Sequence, residues 1–127
     1  MKRSKAVYWT MGVGGAVAFI PALIGGIWGW FCAHPPRLAP PRERYPDHWG
    51  VPFEEVTLET PDGLRLAAWY TPSRNGALVL VAHGFANARL AEIHALFARH
   101  GYGVLSWDFR AHGASEGTTY SAGYYET

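Results

Sequence analysis

The sequence predicts an α/β protein: a β-hairpin leading into a parallel strand, helix, strand unit, with a transmembrane helix ahead of both. Three observations predict it. An uncharged stretch occupies 6–33, apolar and polar residues alternate on either side of Pro61-Asp62-Gly63, and an unbroken apolar run at 77–82 is followed by apolar residues at helical spacing.

The stretch 6–33 would reach roughly 42 Å as a helix, against a hydrocarbon core of ~30 Å. Lys2, Arg3 and Lys5 precede it. Tyr8 and Trp9 at one end, and Trp28, Trp30 and Phe31 at the other, stand where amphipathic rings favour the headgroup level. The pattern predicts a single-pass membrane anchor over 1–33, with the lipid bilayer as a partner through 6–33. A cleaved signal fits less well, because Trp30 and Phe31 crowd the small-residue site it would need before Ala33. The compact basic cluster leans the domain toward the extracytoplasmic side, although Arg37, Arg42 and Arg44 on the other flank nearly balance it. Pro35, Pro36, Pro40, Pro41, Pro46 and Pro52 then predict a stiff, extended Pro-rich linker over 34–52.

The remaining residues, 53–127, read as a partial α/β domain. Val56 and Leu58 alternate with polar neighbours, and Leu64, Leu66 and Ala68 do so again beyond the turn. The run 77–82 is apolar at every position, which predicts a central strand covered on both faces. Leu90, Ile93, Leu96 and Phe97 predict a helix over about 89–100, stopped by Gly101 and Gly103, and the next strand covers 104–107.

Composition narrows the function. The 127 residues carry a net charge near +1 with no basic cluster beyond the first five, so nucleic acid is not an expected partner. Cys32 is the only cysteine, which excludes an intrachain disulfide. The histidines at 34, 48, 83, 94, 100 and 112 form no metal-ligand spacing, and no metal or cofactor is expected. His94 and His100, on the expected helix, read as surface or packing residues.

Two motifs carry chemistry. His83-Gly84-Phe85 follows the apolar run, and Asp108-Phe109-Arg110-Ala111-His112-Gly113-Ala114-Ser115 follows the next strand. In this order they resemble the front half of the α/β-hydrolase superfamily, best its membrane-anchored serine hydrolases of the Bem46-like and related esterase groups. The resemblance covers about 53–126 and implies the N-terminal half of an α/β-hydrolase sheet, with the fourth strand between the second and third. It places His83, Gly84 and Phe85 in the oxyanion loop, with the Phe85 N–H aimed at the negative charge that acyl transfer builds on the substrate carbonyl oxygen. Asp108, Arg110, His112, Gly113 and Ser115 form the supporting loop, where Asp108 and Arg110 are expected to bond backbone near the oxyanion turn. Ala111 stands where the family usually has glycine, which strains the loop if the position needs a positive φ.

No Gly-x-Ser-x-Gly occurs in the sequence. Ser106, within a strand, and Ser115, in a loop, are poor nucleophiles, so the chain holds no nucleophile and reads as a truncated serine hydrolase, inactive alone. The acid and base of such a triad follow the serine in chain order and would lie beyond Thr127. The third strand is then left with a bare edge, and another helix would begin near Glu126. A small acyl ester or thioester is the implied substrate of the full-length enzyme. The alternative is a short, membrane-tethered, non-catalytic module that binds a partner strand at that edge.

Overall fold

A computed structural model describes residues 5–124. The basic head at Lys2 and Arg3 and the helix start expected at Glu126 lie outside the described residues. The chain divides into two compact units between Ala33 and His34.

The first unit is one helix, α1 (Lys5–Ala33), with Pro21 inside it. Among the described residues no helix is long and apolar enough to cross a membrane. The expected transmembrane anchor, and the single-pass membrane location built on it, are therefore corrected. Absence of charge overstated how apolar the segment is: Gly25, Gly26 and Gly29 add no side chain, Pro21 adds little, and the indoles of Trp28 and Trp30 are amphipathic.

In the second unit the expected spacer is instead packed structure. Two 3-10 turns, Arg42–Arg44 and Pro46–Trp49, bring Tyr45 to 4.8 Å from the Trp69 ring and 6.0 Å from Phe53. Arg42 lies 4.5 Å over Tyr45 and pairs with Asp47 at 2.7 Å. Val51 enters the core with Ala95, Ala98 and Val104. Arg37 donates to the Ser115 carbonyl at 3.2 Å and also to that of Gly117. Proline fixes extended backbone but does not prevent aromatic side chains between prolines from burying themselves, and that burial outweighs the spacer tendency.

The sheet is built from β1 (Glu54–Glu59), β2 (Arg65–Thr71), β3 (Leu78–Val81) and β4 (Gly103–Trp107), with α2 (Ala91–Arg99) between the last two. Its order is β1-β2-β4-β3; β3 and β4 are parallel and the other pairings antiparallel. In the hairpin, Val56 faces Ala68 and Leu58 faces Leu66. Thr60 closes its turn, donating its hydroxyl to Asp62 at 2.6 Å while its backbone N–H reaches the Leu64 carbonyl at 2.9 Å. Fourth between second and third is the order the resemblance implied.

β3 lies at the sheet edge, and it is not covered on both faces. Leu78 and Leu80 are 55% and 60% exposed, whereas Val81, on the opposite face, packs against the core beneath α2. α2 also begins later than its spacing suggests. The Arg89 N–H is given to Asp108 Oδ1 at 2.8 Å, which holds Arg89 in the loop.

Beneath α2, Trp69 is fully buried beside Phe53 and His94. His94, read from the sequence as a surface or packing residue, is wholly buried and polar-bonded. Its Nδ1 lies 2.7 Å from Ser106 Oγ and its Nε2 2.9 Å from Thr71 Oγ1. The Thr71 hydroxyl donates to the Pro52 carbonyl at 2.8 Å, so Thr71 accepts from His94 Nε2–H and Ser106 donates to Nδ1. Desolvation, reinforced by the nearby Arg89 cation, pushes the His94 pKa down to about 4.

Keeping His94 neutral links stability to pH. Between its native value and the ordinary 6.5, the unfolded chain binds the extra proton. The contribution is complete above about pH 6.5, is lost as pH falls toward about 4, and amounts to about 3 kcal/mol. Urea unfolding across that window should show stability rising with pH; a flat profile would contradict the neutral, buried assignment.

Candidate active site

The candidate site lies where β3 and β4, adjacent and parallel, both end, the place where open α/β sheets gather ligands. The turn after β3 carries His83, Gly84 and Phe85, and the loop after β4 carries residues 108–115. The structure brings the two predicted motifs together.

Asp108 organises both. Fully buried, its Oδ1 accepts from the Arg89 N–H at 2.8 Å and its Oδ2 from the Ala114 N–H at 3.0 Å. Its own N–H donates to the Ala67 carbonyl at 2.9 Å, tying the loop to β2. The Arg89 guanidinium, 4% exposed, places Nε 3.2 Å from Oδ2. That nitrogen makes no well-aligned hydrogen bond, so the pair is ionic contact rather than a directed bond. The other face of the guanidinium lies 4.4 Å over Trp69. Sequence reasoning missed Arg89 altogether: an arginine at the start of a helix reads as a solvated residue, and only the carboxylate beneath it reveals its burial.

Ser115 donates its hydroxyl to the Asp108 carbonyl at 2.6 Å and accepts from the Ala67 N–H at 2.9 Å, with no exposure. It fastens the loop and is not placed to attack anything. Ser106 is equally buried. Its partner His94 resembles a general base in distance alone, since both atoms are sealed beneath α2.

Arg110 places Nη2 2.8 and 2.7 Å from the two carboxylate oxygens of Asp62 in the hairpin turn. Those contacts, with the Thr60 hydroxyl as the largest influence, hold Asp62 below the ordinary carboxylate range. This braces the loop after β4 to the hairpin. Glu116 extends the same fastening, with Oε1 2.6 Å from Arg65 Nη2 and Oε2 accepting from the Arg65 N–H at 3.0 Å.

The backbone reversals fall at positions only partly foreseen. Gly84 does not adopt a left-handed conformation; the residue that does is Ala86, at φ 53. Ala111 has φ 59, so the glycine-to-alanine departure noted in the sequence does carry strain. Gly113 has φ 48, and a Cβ there would lie 2.2 Å from Asp108 Oδ2. Glycine is needed less to turn the chain than to let it pass the buried carboxylate.

His83 is buried and engaged at both ring nitrogens, with Nδ1 2.7 Å from the Gly84 carbonyl and Nε2 accepting from the Phe109 N–H at 3.0 Å. Burial pushes its pKa below the ordinary value, against the opposing pull of the Gly84 carbonyl. Phe85 is 44% exposed, with its ring 5.9 Å from His112 and 5.8 Å from Tyr120. Tyr120 was not expected at the site; nothing in its polar surroundings marks it out. Among the described residues no group of three or more His, Cys, Asp or Glu is placed to hold a metal ion.

No protein-family profile matches the chain. Over 68 residues it is 40% identical to an uncharacterized protein of Mycobacterium tuberculosis, a stretch covering 50% of this chain and 24% of that one. Over 86 residues it is 31% identical to the uncharacterized protein YfhR of Escherichia coli, covering 61% of this chain and 30% of YfhR. Among solved structures it resembles the Pyrococcus furiosus esterase Pf2001, with a TM-score of 0.65 and 29% identity over 75% of this chain and 37% of the esterase. The chain thus spans well under half the length of the proteins it matches. Its four-stranded mixed sheet matches hydrolase-like structures, which supports the α/β-hydrolase superfamily.

Gly113→Ala is expected to lower stability by more than about 2 kcal/mol, because it adds both a steric conflict and a disfavoured φ. Ala111→Gly should instead be neutral or stabilising by up to about 1 kcal/mol, relief of strain being offset by the freer unfolded chain. Thermal unfolding of the two variants beside the parent separates these outcomes; equal destabilisation would contradict the assigned geometry.

Proposed function

We propose that this chain supplies the oxyanion side of a serine-hydrolase site acting on carboxylic esters or thioesters, within the α/β-hydrolase superfamily and nearest its Bem46-like esterases. The observation that carries the reading is the meeting of the turn after β3 with the loop after β4 at the carboxyl ends of adjacent parallel strands. There the Phe85 N–H is the donor assigned to the developing oxyanion, Gly84 and His83 shape the turn, and Asp108, Arg110, His112, Gly113 and Ser115 support it. Such donors act because they are fixed before charge develops, and losing one costs roughly 10² to 10³ in turnover.

On this reading the nucleophile comes from a segment other than those described. Ser106 and Ser115 are sealed in structural bonds, and no Gly-x-Ser-x-Gly is present. The open side of β3 is the natural place for a strand that ends in such a serine, since it adjoins the oxyanion turn and would pair the open backbone edge. On this reading the chain alone hydrolyses no ester.

A chimera tests it: residues 53–124 replace the matching stretch of the Pyrococcus furiosus esterase, and p-nitrophenyl butyrate hydrolysis is followed. A folded chimera is expected to turn over. Phe85→Ala, which keeps the N–H, should retain activity, and Phe85→Pro, which removes it, should lose roughly 10² to 10³ in kcat at comparable ellipticity. A folded but inactive chimera, or a proline variant as active as the alanine one, would overturn the assignment.

A further inference from the structure

His83 and His112 stand on opposite sides of the site in mirrored roles. His83, after β3, has Nδ1 2.7 Å from the Gly84 carbonyl of its own loop and Nε2 3.0 Å from the Phe109 N–H of the other. His112, after β4, has Nδ1 2.9 Å from the Arg110 carbonyl of its own loop and Nε2 3.2 Å from the Ala86 N–H of the other. A carbonyl only accepts and a backbone N–H only donates, so each ring is fixed as the neutral Nδ1–H tautomer. The ring centroids are 5.1 Å apart.

We propose that His83 and His112 form a reciprocal latch, two positioning residues that hold the Phe85–Ala86 turn against the loop after β4, with the hold at His83 lost when its Nε2 takes a proton. What the turn is for rests on the hydrolase reading; the latch does not. Ala86 sits at φ 53, a conformation disfavoured for an alanine, so the turn needs an external hold. The bond from the Ala86 N–H to His112 Nε2 is such a hold, placed on the strained residue itself.

Protonation of His83 reverses the chemistry at its contact with the other loop. A protonated His83 Nε2 would present a donor to the donor N–H of Phe109. The charged groups facing His83 are Asp108 at the end of β4, which favours the proton, and Arg89 ahead of α2 and His112, which oppose it. Around His112 lie His83, Phe85 and Tyr120, the tyrosine ring at 5.2 Å. Burial, the largest influence on His83, favours its neutral form. The His83 half of the latch is thus closed at neutral pH and opens on acidification.

The test uses the intact chain and no ester. Long-range 1H–15N spectra at neutral pH should show the Nδ1–H tautomer at both rings, and amide exchange should show Ala86 and Phe109 protected. His112→Phe is expected to speed exchange at Ala86 about tenfold, the equivalent of one lost hydrogen bond, with Val104 in β4 unchanged. His112→Gln, whose amide oxygen accepts, should restore protection at Ala86; His83→Gln, which accepts but does not titrate, should keep Phe109 protected and remove its decline on acidification. An Nε2–H tautomer at either ring, or Ala86 protection unaltered in His112→Phe, overturns the latch. If His112→Phe fails to fold, the tautomers of the unmodified protein still decide. A folded, inactive chimera would remove the hydrolase reading and leave these results standing.

Discussion

The carboxylate of Asp108, without exposure at the end of β4, is the constraint on which the site depends. A buried charge is tolerated only when paired and bonded. Here the partners come from three places: the backbone ahead of α2, the loop that follows β4, and the guanidinium of Arg89. Satisfying one carboxylate therefore fixes where α2 begins, how the β4 loop returns, and why residue 113 has no side chain. Arg89 in turn rests on Trp69, the fully buried ring of β2, so the site and the core share one arginine.

Around that centre, fastening runs outward along separate lines. Ser115 ties the loop to β2 through Ala67, and Arg110 and Glu116 tie it to the hairpin through Asp62 and Arg65. Arg37 ties the Pro-rich segment to the far end of the same loop. Few of these bonds are strong singly, since several partners are exposed and screened. Their common effect is geometric: they fix the loop after β4 against β2 and the hairpin.

Much of this was legible in the sequence where periodicity is short-range. The alternation at Val56 and Leu58 and the unbroken run at 77–82 gave the strands, and the apolar spacing through Ile93, Leu96 and Phe97 gave the helix. The two loop motifs gave the neighbourhood of the site. What was not legible depends on partners distant in the chain. The burial of Arg89 and His94 is decided by Asp108, Trp69 and Ser106, none of them sequence neighbours. The same holds for the segment 34–52, whose prolines suggested a spacer while Tyr45 and Val51 found places against the sheet. The N-terminal helix differs: lack of charge is not membrane-spanning apolarity, and no helix among the described residues is long and apolar enough to cross a membrane.

The central claim, that the buried Asp108 charge organises both loops, is tested most directly by chemical unfolding of Asp108→Asn. Asparagine keeps the size of the side chain but cancels the charge opposite Arg89 and turns one acceptor into a donor, facing either the Arg89 or the Ala114 N–H. The account predicts a loss of about 3–5 kcal/mol, as when one partner of a buried pair is removed. A variant within about 0.5 kcal/mol of the parent, the range of an ordinary surface substitution, would contradict it.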